Sequence, residues 1–131
     1  MAPGGTAPEP PPPGLVLVVE DEFLIATDLE HMLGRHGWRV LGPAATAARA
    51  LRLLDGDGET PDVALLDANL GGGGTAAPVA ARLRALGVPF VLASAYDGDR
   101  LAALGLAGAP NVGKPADARR LLAALARAVG R

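Results

Sequence analysis

The sequence predicts an α/β protein built on a doubly wound, five-stranded parallel sheet. Short apolar runs alternate strictly with segments of helical spacing, and short loops join them. The apolar runs are continuous rather than alternating, which is typical of strands buried on both faces. A length of 131 residues, 50% hydrophobic but only 3% aromatic, fits one domain whose core is built from Ala, Leu and Val.

The predicted strands are the short apolar runs. The first, residues 15–19, reads LVLVV and is followed directly by acidic residues. The others are predicted at residues 38–41, 62–66 and 89–93, with a minimal fifth strand at 111–113.

The predicted helices lie between these runs, where apolar residues recur at spacings of three and four. In the first helix, residues 22–36, this pattern is carried by Ile25, Leu29, Met32 and Leu33. The remaining helices are predicted at residues 44–54, 75–86, 99–104 and 115–129. Each helix follows one strand, so the chain reads as five strand–helix units with right-handed crossovers.

The N-terminal residues differ in composition from the rest of the chain. Residues 1–14 are rich in Pro and Gly and are predicted to be a disordered tail, because Pro lacks an N–H donor and fixes φ. The folded domain is therefore predicted to span residues 15–129. A Pro-rich ligand for a partner's aromatic groove is the alternative role of the tail.

Charge and composition exclude several classes of protein. The net charge is −2 and the pI is near 5.6, and no dense basic cluster is present, so direct binding of nucleic acid is not expected. Cys is absent, which excludes disulfides and thiolate metal sites. No apolar run approaches the length of a membrane span, and no signal peptide is recognisable. We therefore expect a soluble cytoplasmic protein that does not bind membranes.

Polar side chains stand just after four of the predicted strands. Glu20 and Asp21 follow the first strand, Asp67 the third, Ser94 the fourth and Lys114 the fifth. The carboxyl ends of parallel strands meet at one edge of a sheet, so these groups are expected to converge. Clustered carboxylates repel one another and need a cation, and a ligand set of oxygens alone favours Mg²⁺. The Lys ammonium would then hold an anion beside the metal.

These residues belong to four segments that resemble the receiver domain of bacterial two-component response regulators. The segments are VLVVEDE (16–22), DVALLDANL (62–70), FVLASAY (90–96) and VGKP (112–115). Their order and spacing match that family over residues 15–129. The resemblance implies a stand-alone, CheY-like receiver with a flavodoxin-like fold and the strand order 2-1-3-4-5.

The resemblance also implies the chemistry of the acidic residues. Asp67 would be the phosphoacceptor, taking a phosphoryl group from a phosphohistidine on a sensor histidine kinase or a histidine phosphotransfer protein. Asp21, Asp67 and the backbone carbonyl of Asn69 would bind Mg²⁺ directly, and Glu20 would reach it through water. Phosphoryl transfer depends mainly on positioning and charge stabilisation, which such a site can supply.

Lys114 and Ser94 are implied to contact the phosphoryl group, and the Lys114–Pro115 bond is implied to be cis. Movement of Ser94 toward the phosphoryl group would bias a two-state surface. We expect a signalling protein rather than an enzyme, one that assists its own phosphorylation and dephosphorylation. Phosphorylation-dependent binding of a downstream target protein, or a phosphorelay, would transmit the signal, and the protein is expected to be a monomer or weak homodimer.

The chain departs from the family beside its predicted fifth strand. Receivers commonly carry an aromatic switch residue three positions before the Lys, where this chain has Asn111. Tyr96, two residues after Ser94, would either replace that aromatic or cover the phosphorylation pocket. The stretch PFVLASAY (89–96) resembles a degenerate Phe-Ala-Thr-Gly-Tyr signature found in a subgroup of mostly single-domain receivers. A bulky Tyr beside Asn69 predicts slow self-dephosphorylation.

Phe23 and Leu24 fall on the first turn of the first predicted helix, beside the acidic residues. In the family this helix docks the helical bundle of the donor kinase, so exposed apolar groups here would suit docking. Packing of one of them in the core is the alternative.

Three other functions stay open at this point. Gly71, Gly73 and Ala76 loosely match a dinucleotide fingerprint, so a small nucleotide-binding α/β domain is one alternative, although it gives Lys114 no role. A phosphorylation-independent interaction module with a relic pocket is the second. The third is a Mg²⁺-dependent phosphotransferase of the haloacid-dehalogenase type, which wants a second Asp where this chain has Asn69.

Overall fold

The structure is a computed structural model that describes residues 13–56 and 58–130. The predicted disordered tail lies outside the described residues except for Pro13 and Gly14. The described strands and helices, in chain order, are β1 (Gly14–Val19), α1 (Phe23–Arg35), β2 (Trp38–Ala44), α2 (Ala47–Asp55), β3 (Val63–Leu66), α3 (Ala77–Leu86), β4 (Phe90–Leu92), α4 (Gly98–Ala103) and α5 (Ala118–Ala128). A short 3₁₀ turn, Gly71–Gly73, lies between β3 and α3.

The sheet is parallel and has the strand order β2-β1-β3-β4, which confirms the predicted α/β class. Val19 pairs with Leu66 at the ends of β1 and β3, and Leu66 pairs with Leu92 at the end of β4. The three central strands therefore end in line. Whatever residues follow them must emerge at the same edge of the sheet.

The predicted fifth strand is reduced to one parallel bridge, between Leu92 and Asn111. Leu92 donates its N–H to the carbonyl of Pro110 (2.8 Å) and accepts from the N–H of Val112 (2.9 Å). Pro110 has no N–H to donate, and Gly113 turns the chain with φ of +82°. Pairing therefore stops after one step, although the segment still occupies the fifth position beside β4.

Helices cover both faces of the sheet. Trp38 and Leu33 pack with residues of α5 on one face, in a buried cluster comprising Val16, Val18, Leu33, Trp38, Val63, Leu65, Val91, Ala93, Val112, Leu121, Ala124 and Leu125. On the other face, α2, α3 and α4 cover a second cluster that includes Leu17, Leu66, Val79, Leu83, Leu92 and Leu101. Burial on both faces explains why the strand sequences are continuous apolar runs. The described helices are too short or too polar to span a bilayer.

Capping side chains decide where three of the helices begin. Thr46 accepts from the Arg49 N–H at the start of α2, and Asp97 accepts from the Arg100 N–H at the start of α4. Asp117 caps α5 in the same way. The predicted helix starts at residues 44 and 115 were therefore wrong by three residues, because apolar spacing alone does not mark a cap.

Candidate functional site

The carboxyl ends of β1, β3 and β4 enclose a cavity of about 200 Å³. Its lining residues are Asp21, Glu22, Asp67, Asn69, Gly71, Ser94, Ala95, Tyr96 and Lys114. The Asp67 N–H donates to the carbonyl of Val19 (2.9 Å), so the acid after β3 stays in register with β1. The side chains predicted from the strand ends are thus brought together at one place.

Lys114 lies at the centre of the charged groups. Its Nζ is 2.7 Å from Oδ2 of Asp67, 3.2 Å from Oε1 of Glu20 and 3.7 Å from Oε1 of Glu22. Burial acts to lower the pKa of Lys114, but the hydrogen bonds and charges of Asp67 and Glu20 outweigh it and raise that pKa. Lys114 therefore stays an ammonium at neutral pH. It is also the only lysine of the chain, in which every other basic residue apart from the two histidines is Arg.

Glu20 is almost completely buried, and its carboxylate accepts from the Glu22 N–H at 3.1 Å and from Lys114. Burial raises the pKa of Glu20, and the nearby charge of Asp67 adds to the effect, against the hydrogen bonds from Glu22 and Lys114. At this carboxyl, burial together with the charge of Asp67 therefore outweighs the hydrogen bonds from Glu22 and Lys114, and the pKa is raised.

Both oxygens of Asp67 have partners. Oδ2 accepts from Lys114, and Oδ1 accepts from the backbone N–H of Asn69 at 3.2 Å. The Asn69 side chain in turn accepts from the Gly71 N–H at 3.0 Å, which stabilises the turn after β3. Asp67 is only 5% exposed, yet it faces the cavity, so it is positioned rather than free to rotate.

The acidic residues fit a divalent cation with oxygen ligands. Glu20, Asp21 and Asp67 each offer one carboxylate oxygen, and these oxygens lie within 4.8 Å of one another. A Cβ built on Gly71 would lie 3.1 Å from Oδ2 of Asp21, so the glycine leaves this carboxylate room. Asp21 is exposed whereas the other two acids are buried. Oxygen ligands with one side open to water are the surroundings that Mg²⁺ prefers in proteins.

Ser94 and Tyr96 line the cavity opposite the acids. The Ser94 Oγ accepts from the Tyr96 N–H at 3.0 Å, which leaves its own hydroxyl proton available to another acceptor. The half-buried Tyr96 ring lies beneath the Arg100 guanidinium, whose Cζ is 4.5 Å from the ring centroid. Tyr96 is therefore placed beside the pocket, while its role as a switch stays a prediction.

The other predicted residues are also placed by the structure. Phe23 and Leu24 are 79% and 76% exposed on the first turn of α1, so the alternative that one of them packs in the core is wrong. Kinase docking at this turn stays a prediction. The Lys114–Pro115 bond is cis, as the resemblance implies, and Gly42–Pro43 is a second cis bond that was not predicted.

The loose dinucleotide fingerprint finds no support in this geometry. Gly71 lies directly beside the carboxylate of Asp21, in a cavity that also contains Asp67. A pyrophosphate brought to this turn would meet carboxylates before it met a helix N-terminus, because α3 begins only at Ala77. The acidic lining of this cavity disfavours a pyrophosphate at the Gly71 turn.

No protein-family model and no curated protein sequence matches the chain. Solved structures do. The receiver domain of the PhyR response regulator from Erythrobacter litoralis is 25% identical, with a TM-score of 0.77, over 88% of this chain and 89% of that one. The signal receiver domain of a modulated diguanylate cyclase from Desulfovibrio desulfuricans is 28% identical, with a TM-score of 0.74, over 88% and 93%.

A response regulator receiver protein from Sinorhizobium medicae shares the fold with a TM-score of 0.77 at 21% identity, over 88% of this chain and 93% of that one. The parallel α/β sheet and the aligned strand ends define the class as a receiver fold. The chain has the fold of the CheY-like response regulator receiver domains, and its likeness to these solved structures supports a role in response regulator signalling.

Proposed function

We propose that Asp67 accepts a phosphoryl group from a phosphohistidine on a sensor histidine kinase or a histidine phosphotransfer protein. The observation that carries this proposal is the contact of 2.7 Å between Lys114 Nζ and Asp67 Oδ2, inside an acidic cavity open to solvent. A buried carboxylate can act as the nucleophile, and the ammonium beside it supplies a positive charge for the phosphoryl group that arrives.

In the proposed reaction, a carboxylate oxygen of Asp67 attacks the phosphorus of the phosphohistidine. A P–O bond forms as the P–N bond breaks, and the electron pair of the broken bond leaves with the imidazole nitrogen. The Lys114 ammonium exchanges its Asp67 partner for a phosphoryl oxygen, and the Ser94 hydroxyl donates to another. Both donors reduce the cost of placing a phosphoryl anion among carboxylates.

Asp21, Asp67 and the backbone carbonyl of Asn69 would hold Mg²⁺, with Glu20 behind them. When bound, the ion neutralises the acids and draws the phosphoryl oxygens toward the cavity. This chain's own contribution is to hold Asp67 in place through the Asn69 N–H and Lys114. Phosphorylation then changes the charge of the β4–α4 side of the cavity, which would favour binding of a target protein or onward phosphotransfer.

Incubation with Mg²⁺ and a small-molecule phosphodonor tests the acceptor. The intact mass of the wild-type protein is expected to rise by one phosphoryl group, whereas Asp67→Asn is expected to show no gain, because the amide is not a nucleophile here. A matched control is Asp99→Asn, which changes an exposed acid on α4 and is expected to leave phosphorylation unchanged. Equal labelling of wild type and Asp67→Asn would refute the proposal.

Mg²⁺ binding is expected to raise the melting temperature of the wild-type protein, because the ion relieves repulsion among the three acids. A free ion concentration of ten times Kd would stabilise the fold by about 1.4 kcal/mol. Asp21→Asn is expected to lose most of this shift, and Asp28→Asn, an exposed acid on α1, should keep it. Thermal unfolding with and without Mg²⁺ measures the difference, and an undiminished shift in Asp21→Asn would contradict the assigned ligands.

A further inference from the structure

The side chain of Asn111 forms hydrogen bonds with both backbone groups of Ser94. Its Oδ1 accepts from the Ser94 N–H at 3.0 Å, and its Nδ2 donates to the Ser94 carbonyl at 3.1 Å. Oδ1 also accepts from the Gly113 N–H at 3.0 Å. Because two N–H groups point at one amide atom and a carbonyl at the other, only one orientation of the amide satisfies all three bonds.

The position of this amide follows from the interrupted fifth strand. In a parallel ladder every second residue of one strand bonds the neighbouring strand on both sides, and Leu92 does so with the backbone around Asn111. The next such residue is Ser94, whose partners in a continued ladder would be the backbone carbonyl of Val112 and the N–H of Lys114. The Asn111 amide supplies an acceptor and a donor to Ser94 instead. A side chain thus replaces one peptide group of the missing strand.

This replacement matters because Ser94 is buried and lines the cavity. A buried N–H or carbonyl without a partner is costly, so the end of β4 depends on the amide for its conformation. An aliphatic residue at this position would leave both backbone groups of Ser94 to find new partners.

We propose that Asn111 is a positioning residue that holds the Ser94 backbone, and through it the Ser94 hydroxyl, toward the phosphoryl site. This deepens the proposed phosphorylation of Asp67 and rests on it. The Gly113 N–H keeps the amide itself in place. Asn111 thereby takes a role at the position where this chain lacks the aromatic residue common in receivers.

Amide hydrogen exchange on the full chain tests the hydrogen bonds without any phosphorylation. Asn111→Ala is expected to speed exchange of the Ser94 and Gly113 amides by about tenfold relative to neighbouring sites, since each loses its acceptor. Asn111→Asp keeps an acceptor for both N–H groups but turns a second carboxylate oxygen toward the Ser94 carbonyl, so it is expected to speed exchange less than Asn111→Ala does. Val112→Ala is the matched control, because it removes a buried apolar side chain next to Asn111 and leaves the amide intact.

A double-mutant cycle tests whether Asn111 acts through Ser94. Asn111→Ala and Ser94→Ala are each expected to slow phosphorylation at saturating phosphodonor by about 100-fold, because Ser94→Ala removes one donor to the phosphoryl group and Asn111→Ala displaces that same donor. The double variant is expected to be no slower than either single variant. In the control cycle, the fold-change in phosphorylation rate of the Val112→Ala/Ser94→Ala double variant should equal the product of the two single fold-changes.

The outcomes separate this inference from the function on which it rests. Unchanged exchange at Ser94 in Asn111→Ala, or rate effects of Asn111→Ala and Ser94→Ala that multiply, would overturn the positioning role. If the wild-type protein takes up no phosphoryl group, the proposed function fails, and the exchange pattern then decides whether Asn111 holds Ser94. Localised loss of protection together with non-additive rates would support the role of Asn111.

Discussion

Lys114→Met is expected to slow phosphorylation of Asp67 by about 100-fold or more, the effect typical of losing one preorganised donor to a developing anion. The ammonium contacts Asp67 at 2.7 Å and Glu20 at 3.2 Å, so it is the positive charge held directly beside the acceptor carboxylate. Methionine has a similar length and no charge. Time courses of intact mass at several phosphodonor concentrations would separate the maximal rate from donor affinity.

The same substitution is expected to destabilise the metal-free protein. It leaves the buried carboxylates of Glu20 and Asp67 facing each other without a counter-ion. Breaking a fully buried pair costs about 3–5 kcal/mol, and we expect about 1–3 kcal/mol here because the Lys114 side chain is 21% exposed. Urea unfolding without Mg²⁺ measures this loss.

Lys114→Arg separates charge from shape. A guanidinium keeps the positive charge, so the free energy of unfolding is expected to recover, but its planar fork does not reproduce the point contact of an ammonium. Phosphorylation should therefore remain slow. A wild-type rate in Lys114→Met would contradict the role of the ammonium, and a wild-type rate in Lys114→Arg would show that any nearby positive charge suffices.

Much of the fold follows from local pattern. The strands around the site were predicted to within one residue at each end, because β1, β3 and β4 are buried on both faces and their apolar runs stop where the sheet stops. The convergence of Glu20, Asp67 and Lys114 could be predicted for the same reason, since each follows a strand or the fifth segment. In a parallel sheet, the residue that follows each apolar run can therefore be placed at the carboxyl edge from the sequence alone.

The fifth segment shows where such reasoning stops. Asn111 could be recognised only as a departure from a common pattern, because two of its three hydrogen bonds join it to Ser94, 17 positions away in the sequence. Pro110 and Gly113 were the local signals that a fifth strand would be short. The spacing of apolar residues also could not predict that Phe23 is exposed. An apolar residue at the start of a helix is equally consistent with packing in the core and with an exposed docking surface.

Tyr96→Ala is expected to speed hydrolysis of the phosphorylated protein by about tenfold, because removing the ring admits water to the phosphoryl group. Hydrolysis requires a water oxygen to attack phosphorus as the P–O bond to Asp67 breaks. Tyr96 and Asn69 both line the cavity through which that water must pass. The Arg100 guanidinium, 4.5 Å from the ring centroid, favours the half-buried position of the ring.

The decay of phosphorylated protein after removal of the phosphodonor measures this gating. Tyr96→Phe keeps the ring and loses only the hydroxyl, so its decay is expected to match the wild type if the ring excludes water by size. Arg100→Ala should give a smaller acceleration than Tyr96→Ala, because it frees the ring without removing it. Equal decay in wild type and Tyr96→Ala would show that the ring does not obstruct the water. Fast decay in Tyr96→Phe would instead assign the protection to the hydroxyl, and the ring would then act as its support.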